Sequence, residues 1–242
     1  MELNKIYNQD CLEFMATLPD NSVDLIVTSP PYNKNAHLTN DGDWGTKIKY
    51  DTYDDNLPQE EYEDWQRRII SECLRILKPS GSLFYNHKDR IVNNLIISPM
   101  EIIRGFPLHQ QIIWDRGAVV DHNLRYFSPC VEYIYWLTKD SKKFYFSKED
   151  SIYKSIIWRI SPTREYNPHP APFPLYMAEN IVKSACPPNG VVYDPFMGSG
   201  TTALATIRVG GGRSYIGSEI SPKYIKMAED RIGLENSQLS LF

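Results

Sequence analysis

The chain has 242 residues, 42% hydrophobic and 23% charged, enough for one substantial core with room for a small added lobe. A formal net charge of −4 argues against a protein that coats nucleic acid through a uniformly basic surface, and leaves a local basic face open. No apolar run is long enough to span a bilayer, Met1 to Lys5 lacks a secretion-signal pattern, and Cys11, Cys73, Cys130 and Cys186 form no C-x-x-C pair; the expectation is a cytoplasmic protein without disulfide framework, metal site or membrane partner.

In chain order, Lys5 to Tyr7 predicts a short strand, followed by a helix from Cys11 to Leu18. Val23 to Thr28 predicts a buried strand that runs into Ser29-Pro30-Pro31-Tyr32, where two prolines end ladder pairing and force an extended turn. Residues 33–58 are polar and aperiodic and predict a long surface loop of functional importance. Tyr62, Trp65, Ile69, Cys73 and Ile76 recur at helical spacing. Lys78 to Gly81 ends that helix before a strand at Leu83 to Tyr85; a helix over Asn93 to Arg104 and a strand at Gln111 to Trp114 follow.

Beyond Asp115 the pattern becomes richer in β-strand signals. Val131 to Leu137 predicts a strand, and Lys143 to Phe146 and Ile152 to Arg159 predict short strands of a small insertion. Lys142, Lys143, Arg159 and Arg164 stand there as phosphate contacts or as solvated surface. A proline-rich stretch, Pro168 to Pro174, leads to a helix over Leu175 to Ser184. Last come a strand at Val191 to Tyr193, a helix from Thr201, a strand at Ser214 to Ser218, and a helix from Pro222 with Ser221 as N-cap. Strands alternating with helices predict an α/β fold, a doubly wound and mostly parallel sheet with a small β-rich insertion. Residues 1–114 and 168–242 form its two halves and 115–167 the insertion.

The loop Asp194-Pro195-Phe196-Met197-Gly198-Ser199-Gly200-Thr201-Thr202 joins a strand to a helix. Its glycines admit a ligand to the backbone, and the helix start offers free N–H groups. About 20 residues on, Glu219 ends the next strand, where a carboxylate can take two ribose hydroxyls. Ala203 stands where a dinucleotide fingerprint needs its third glycine, so a phosphate-free adenosine ligand fits better than a nicotinamide dinucleotide. In the Ser29–Tyr32 turn, the serine hydroxyl and a prolyl carbonyl can accept both hydrogens of an exocyclic amine and aim its lone pair, while Tyr32 can stack on a base.

Through these two segments the sequence resembles the amino-DNA methyltransferases of restriction–modification systems. The S-P-P-Y tetrad precedes the D-P-F-x-G-S-G-T-T loop, as in the permuted beta group. The resemblance implies a Rossmann-like methyltransferase fold, S-adenosyl-L-methionine as cofactor and double-stranded DNA as partner, with the target base flipped out of the duplex. It implies Ser29, Pro30, Pro31 and Tyr32 as catalytic residues. It implies Asp10, Cys11, His169, Phe173, Asp194, Pro195, Phe196, Gly198, Gly200, Thr201, Thr202 and Glu219 around the cofactor. Relatives are often dimers, which makes a homodimer the candidate assembly. The interval matching the family's sequence-reading region is short, so a second copy or residues 33–58 would share that task. Ser29 stands where cytosine-modifying relatives usually carry Ser and adenine-modifying ones Asp; N4 of cytosine is the favoured target and N6 of adenine the alternative. RNA or protein-amide methylation and a non-catalytic cofactor-binding role are weaker readings, the first because its turn and loop come in the opposite order.

Overall fold

The computed structural model describes residues 2–34, 50–53, 55–117, 126–161 and 173–239. Its strands are β1 (Lys5–Asn8), β2 (Val23–Thr28), β3 (Leu77–His87), β4 (Arg90–Val92), β5 (Leu95–Ile97), β6 (Leu108–Asp115), β7 (Val131–Thr138), β8 (Ile157–Arg159), β9 (Val191–Asp194) and β10 (Ser214–Glu219). Eight of them form one sheet in the order β1-β10-β9-β2-β3-β7-β6-β8. From β1 to β3 all pairings are parallel, and β7 alone runs against the others. A parallel strand covered on both faces needs apolar residues throughout rather than alternation, and every residue of β2 is buried.

Helices α1 (Cys11–Thr17), α2 (Gln59–Ile76) and α3 (Met100–Ile103) cover one face, and α4 (Leu175–Ala185), α5 (Thr201–Val209) and α6 (Pro222–Leu239) the other. On α2 the helical spacing places Tyr62, Ile69, Ile70, Cys73 and Ile76 in the core; each buried isoleucine contributes about 1.5–3 kcal/mol. Ser221 caps α6, its Oγ accepting from Tyr224 N at 3.2 Å. None of the described helices is long and apolar enough to cross a membrane.

Three segments depart from the sequence reading. Residues 93–104 are not one helix: β4 and β5 make a hairpin, and only the short α3 follows. Asn93 and Asn94 both take positive φ, 52° and 61°, the mirror-image turn that matches strand twist, and this local chemistry outweighs the apolar run after it. Lys143 to Phe146 forms turn and coil. Lys78 to Gly81 lies within β3 as a bulge, because β2 advances from Val23 to Leu25 while its partner advances from Leu77 to Ser82. The β-rich stretch beyond Asp115 contributes β7 and β8 to the main sheet.

Chain order reverses between β9 and β2: the chain winds outward through β10 on one side and through β3 on the other. A crevice opens outside the carboxyl ends of the strands at such a switch point.

Candidate active site

The carboxyl ends of β1, β2, β9 and β10 surround one cleft with a cavity volume of about 310 Å³. The prolyl turn follows β2, the glycine loop follows β9, Asp10 and Cys11 follow β1, and Glu219 ends β10. Ser29, Pro30, Pro31 and Tyr32 therefore share walls with Asp10, Cys11, Pro195, Phe196, Gly198 and Glu219, as the sequence requires.

The loop side is held by backbone donors. Asp10 caps α1, its Oδ1 accepting from Leu12 N at 2.8 Å and Glu13 N at 3.2 Å. Glu219 accepts from Gly198 N at 2.8 Å and Ser221 N at 2.9 Å, so one carboxylate fixes the glycine turn and faces the cleft. Burial raises its pKa, opposed by those N–H groups. Burial also pushes the Cys11 thiol far above its usual range, leaving a neutral apolar contact.

Asp194 is a brace rather than a wall. Fully buried, it accepts from Thr28 Oγ1 at 2.9 Å, Phe196 N at 3.0 Å and Thr202 Oγ1 at 2.6 Å, joining the end of β2 to the loop and α5. Burial raises its pKa to about 6. Thr201, Thr202 and Gly200 stand behind the cleft; a Cβ on Gly200 would lie 2.8 Å from Ala228 Cβ, so that glycine serves the contact of α5 with α6. Phe173 does not reach the cleft either; it packs against the apolar side of the sheet near Val27, Phe84 and Ile134. His169 and Arg164 lie outside the described residues. Two of the basic candidates are ion-paired at the surface, Lys143 with Asp140 at 3.8 Å and Arg159 with Asp115 at 3.2 Å.

The prolyl turn is held by side chains from far along the chain. Tyr32 is buried, its ring tilted 30° against His87 at 4.6 Å between centroids. Its hydroxyl lies 2.8 Å from Ser29 Oγ, donates to Glu132 Oε2 at 3.1 Å and accepts from Asn86 Nδ2 at 2.5 Å. Tyr62 Oη donates to the Pro31 carbonyl at 2.8 Å and meets His87 Nε2 at 2.7 Å. Burial lowers the His87 pKa to about 3, so the ring is neutral; its Nδ1 lies 2.8 Å from Lys88 N and 2.9 Å from the Lys88 carbonyl.

Asn86, His87, Tyr62 and Glu132 escaped the sequence reading. The available signals were the polar pair ending an apolar strand and a lone carboxylate opening the aromatic strand β7. Tyr50, Thr52, Tyr53 and Trp65 also line the cleft, so the segment read as a functional loop returns to it. Asp51 Oδ2 accepts from Ser221 Oγ at 2.6 Å, and Asp55 accepts from Asn33 N at 2.6 Å and Lys34 N at 2.9 Å.

The lining suits S-adenosyl-L-methionine. Aromatic rings and two carboxylates surround the cavity, and among the described residues no Lys, Arg or His lines it. A sulfonium ligand without phosphate fits such walls; a pyrophosphate would lack a cation to meet it.

Comparisons with known proteins agree. The N6/N4 DNA methylase family model matches residues 23–230. The type II methyltransferase M.BglII of Bacillus subtilis is 34% identical, the alignment covering 93% of this chain and 68% of that protein. The DNA adenine methyltransferase YhdJ of Escherichia coli (strain K12) is 24% identical, covering 96% and 83%. Protein TTHA0409 of Thermus thermophilus, solved in complex with S-adenosyl-L-methionine, matches with a TM-score of 0.70 at 27% identity, covering 96% of this chain and 94% of that one. The cytosine-N4-specific PvuII DNA methyltransferase shares the fold, with a TM-score of 0.76 at 22% identity over 96% of this chain and 86% of that one. The chain belongs to the N6/N4 DNA methylase family, the S-adenosylmethionine-dependent enzymes that methylate an exocyclic amino group in DNA.

Proposed function

We propose that this enzyme methylates N4 of a cytosine turned out of duplex DNA, with Ser29 as the group that receives the amino hydrogen. The observation that carries this reading is a neutral hydroxyl on the cleft wall, where adenine-modifying relatives usually place a carboxylate. An exocyclic amine is a poor nucleophile because its lone pair is spread into the ring; acceptors on both hydrogens localise it toward an incoming methyl. Ser29 Oγ is one acceptor. A carbonyl of the Pro30-Pro31 turn is the second; that of Pro31 accepts one bond from Tyr62 at 2.8 Å and keeps a lone pair.

Asp10, Cys11, Pro195, Phe196, Gly198 and Glu219 hold the cofactor, with Glu219 accepting from the ribose hydroxyls. When bound, the cofactor supplies an electrophilic methyl carbon whose bonding pair leaves on sulfur. A base inside a duplex cannot reach this cleft, so the target nucleotide rotates into it. Residues 115–167 read the surrounding sequence, aided by 33–58 or a second copy of the chain; Lys142 lies away from the cleft, because it follows the end of β7 that pairs with the start of β3.

Mass spectrometry of nucleosides after reaction with mixed-sequence duplex DNA tests the target base. N4-methylcytosine is the expected product; N6-methyladenine alone overturns the assignment to cytosine.

A further inference from the structure

We propose that Glu132 is the positioning residue that turns the neutral Ser29 into an outward-facing acceptor and finally receives the amino proton through Tyr32. The inference rests on the reading of Ser29 as the acceptor and is independent of which base is modified.

Hydrogen bonding fixes the direction of every proton in the cluster. A carboxylate only accepts, so Tyr32 Oη donates its single proton to Glu132 Oε2 at 3.1 Å. The same oxygen accepts from Asn86 Nδ2 at 3.1 Å; this orientation leaves Asn86 Oδ1 buried without a partner, and the reverse would aim it at a carboxylate. With Tyr32's proton committed to Glu132 and Asn86 donating to Oη, the 2.8 Å contact to Ser29 has one solution: Ser29 Oγ–H donates inward to Tyr32. Both Ser29 lone pairs are then free of its own proton. Asn86 Nδ2 spends its two hydrogens on Tyr32 Oη and Glu132 Oε2, so its 3.4 Å approach to Ser29 Oγ is a contact only, and Ser29 keeps its acceptor capacity on the cleft wall. Arg116 Nη1 anchors the far carboxylate oxygen, Oε1, at 3.2 Å, so Glu132 cannot turn away. A serine left to itself could rotate its hydroxyl into the cleft and oppose the substrate amine as a donor; Glu132 removes that option.

The same chain of bonds balances the reaction. As the amine lone pair forms the N–C bond and the pair of the broken C–S bond stays on sulfur, nitrogen must lose one proton. That proton passes to Ser29 Oγ, the serine proton to Tyr32 Oη, and the tyrosine proton to Glu132 Oε2. Serine and tyrosine end neutral, the product amine is neutral, and Glu132 is protonated until solvent takes the proton.

The test compares single-turnover rates of labelled-methyl transfer, with cofactor and DNA affinities measured separately. Glu132→Gln is expected to slow the chemical step about 100-fold while both affinities stay within about twofold of wild type. Glu132→Asp, which keeps a carboxylate at the position, is expected to recover most of that rate. A wild-type rate in Glu132→Gln overturns the proposal, as does a loss explained by weaker binding or a Glu132→Asp variant as slow as Glu132→Gln. Should that variant fail to fold, Tyr32→Phe decides: it keeps the ring and cuts the link, and a wild-type rate overturns the proposal equally. Ser29→Ala separates the layers, because a fast Ser29→Ala refutes the acceptor reading, whereas a slow Ser29→Ala beside a normal Glu132→Gln refutes only the role of Glu132.

Discussion

On the cofactor wall, Asp10 and Glu219 bond to backbone N–H groups two or three residues away, and Glu219, ending β10, reaches back 21 residues to the glycine loop between β9 and α5. On the catalytic wall, Ser29 and Tyr32 are held by Asn86, 54 residues from Tyr32, and Glu132, 100 residues from it. The first wall is made by local chain geometry, the second by tertiary packing. A backbone cradle tolerates many side-chain changes around it. A buried side-chain network transmits each change, since an unmatched donor or acceptor there has no water to turn to.

The largest effect separates the two walls outright. Ser29→Ala is expected to lower the single-turnover rate about 1,000-fold, the scale of losing one preorganised polar contact to the reacting group. Cofactor affinity, measured by isothermal titration, stays within about twofold. A comparable loss of affinity would show that the walls are not independent.

Asp194 is where the walls meet, and its titration can be read as stability. Its folded pKa, about 6, lies above the ordinary carboxylate value, so the folded state binds the extra proton. Its contribution is fully present below about pH 4 and is lost as pH rises to about 6, on the order of 3 kcal/mol. Asp194→Asn keeps the acceptor for Thr28 and Phe196; its amide donates to Thr202 Oγ1, whose hydroxyl turns to the Val27 carbonyl at 3.5 Å. Urea unfolding from pH 4 to 7 is expected to show that decline reduced by about this amount in the variant. An unchanged decline would place the proton elsewhere.

The unequal construction also explains what could be read from the chain. The Ser-Pro-Pro-Tyr turn, the glycine loop and Glu219 announce themselves through proline, glycine and strand-end spacing, all of which act within a few residues. Asn86 reads as the tail of an apolar strand, and Glu132 as the solvent-facing member of an alternating one; their meeting depends on β7 lying antiparallel beside β3, which no local pattern specifies. The hairpin at Arg90 to Ile97 was missed for the converse reason: two asparagines in left-handed conformations override apolar spacing that suits a helix. Gly200 and Asp194 show contacts within the fold, to Ala228 and to Thr28, Phe196 and Thr202, because a motif records that a residue is required without saying whether ligand or fold requires it.

A smaller effect sharpens the comparison from the cofactor side. Glu219→Ala removes a charged acceptor and should weaken cofactor binding by about 2 kcal/mol, or roughly 30-fold in Kd. The rate at saturating cofactor is expected to stay near wild type, because the prolyl turn keeps its own supports. A fall in the saturated rate as large as that of Ser29→Ala would mean that the glycine loop positions the reacting methyl as well as the nucleoside.

Gly200 provides the smallest and most discriminating change. It begins α5 at φ 83°, a backbone conformation that favours glycine, and an added Cβ would meet Ala228 on α6 at 2.8 Å. Gly200→Ala should therefore cost about 1–2 kcal/mol and lower Tm by roughly 4 °C. Cofactor affinity should hold, because the residue stands behind the cleft and the contact it would crowd lies on α6. If instead affinity fell tenfold at unchanged Tm, Gly200 would belong to the cradle, and the packing account of this half of the loop would be wrong.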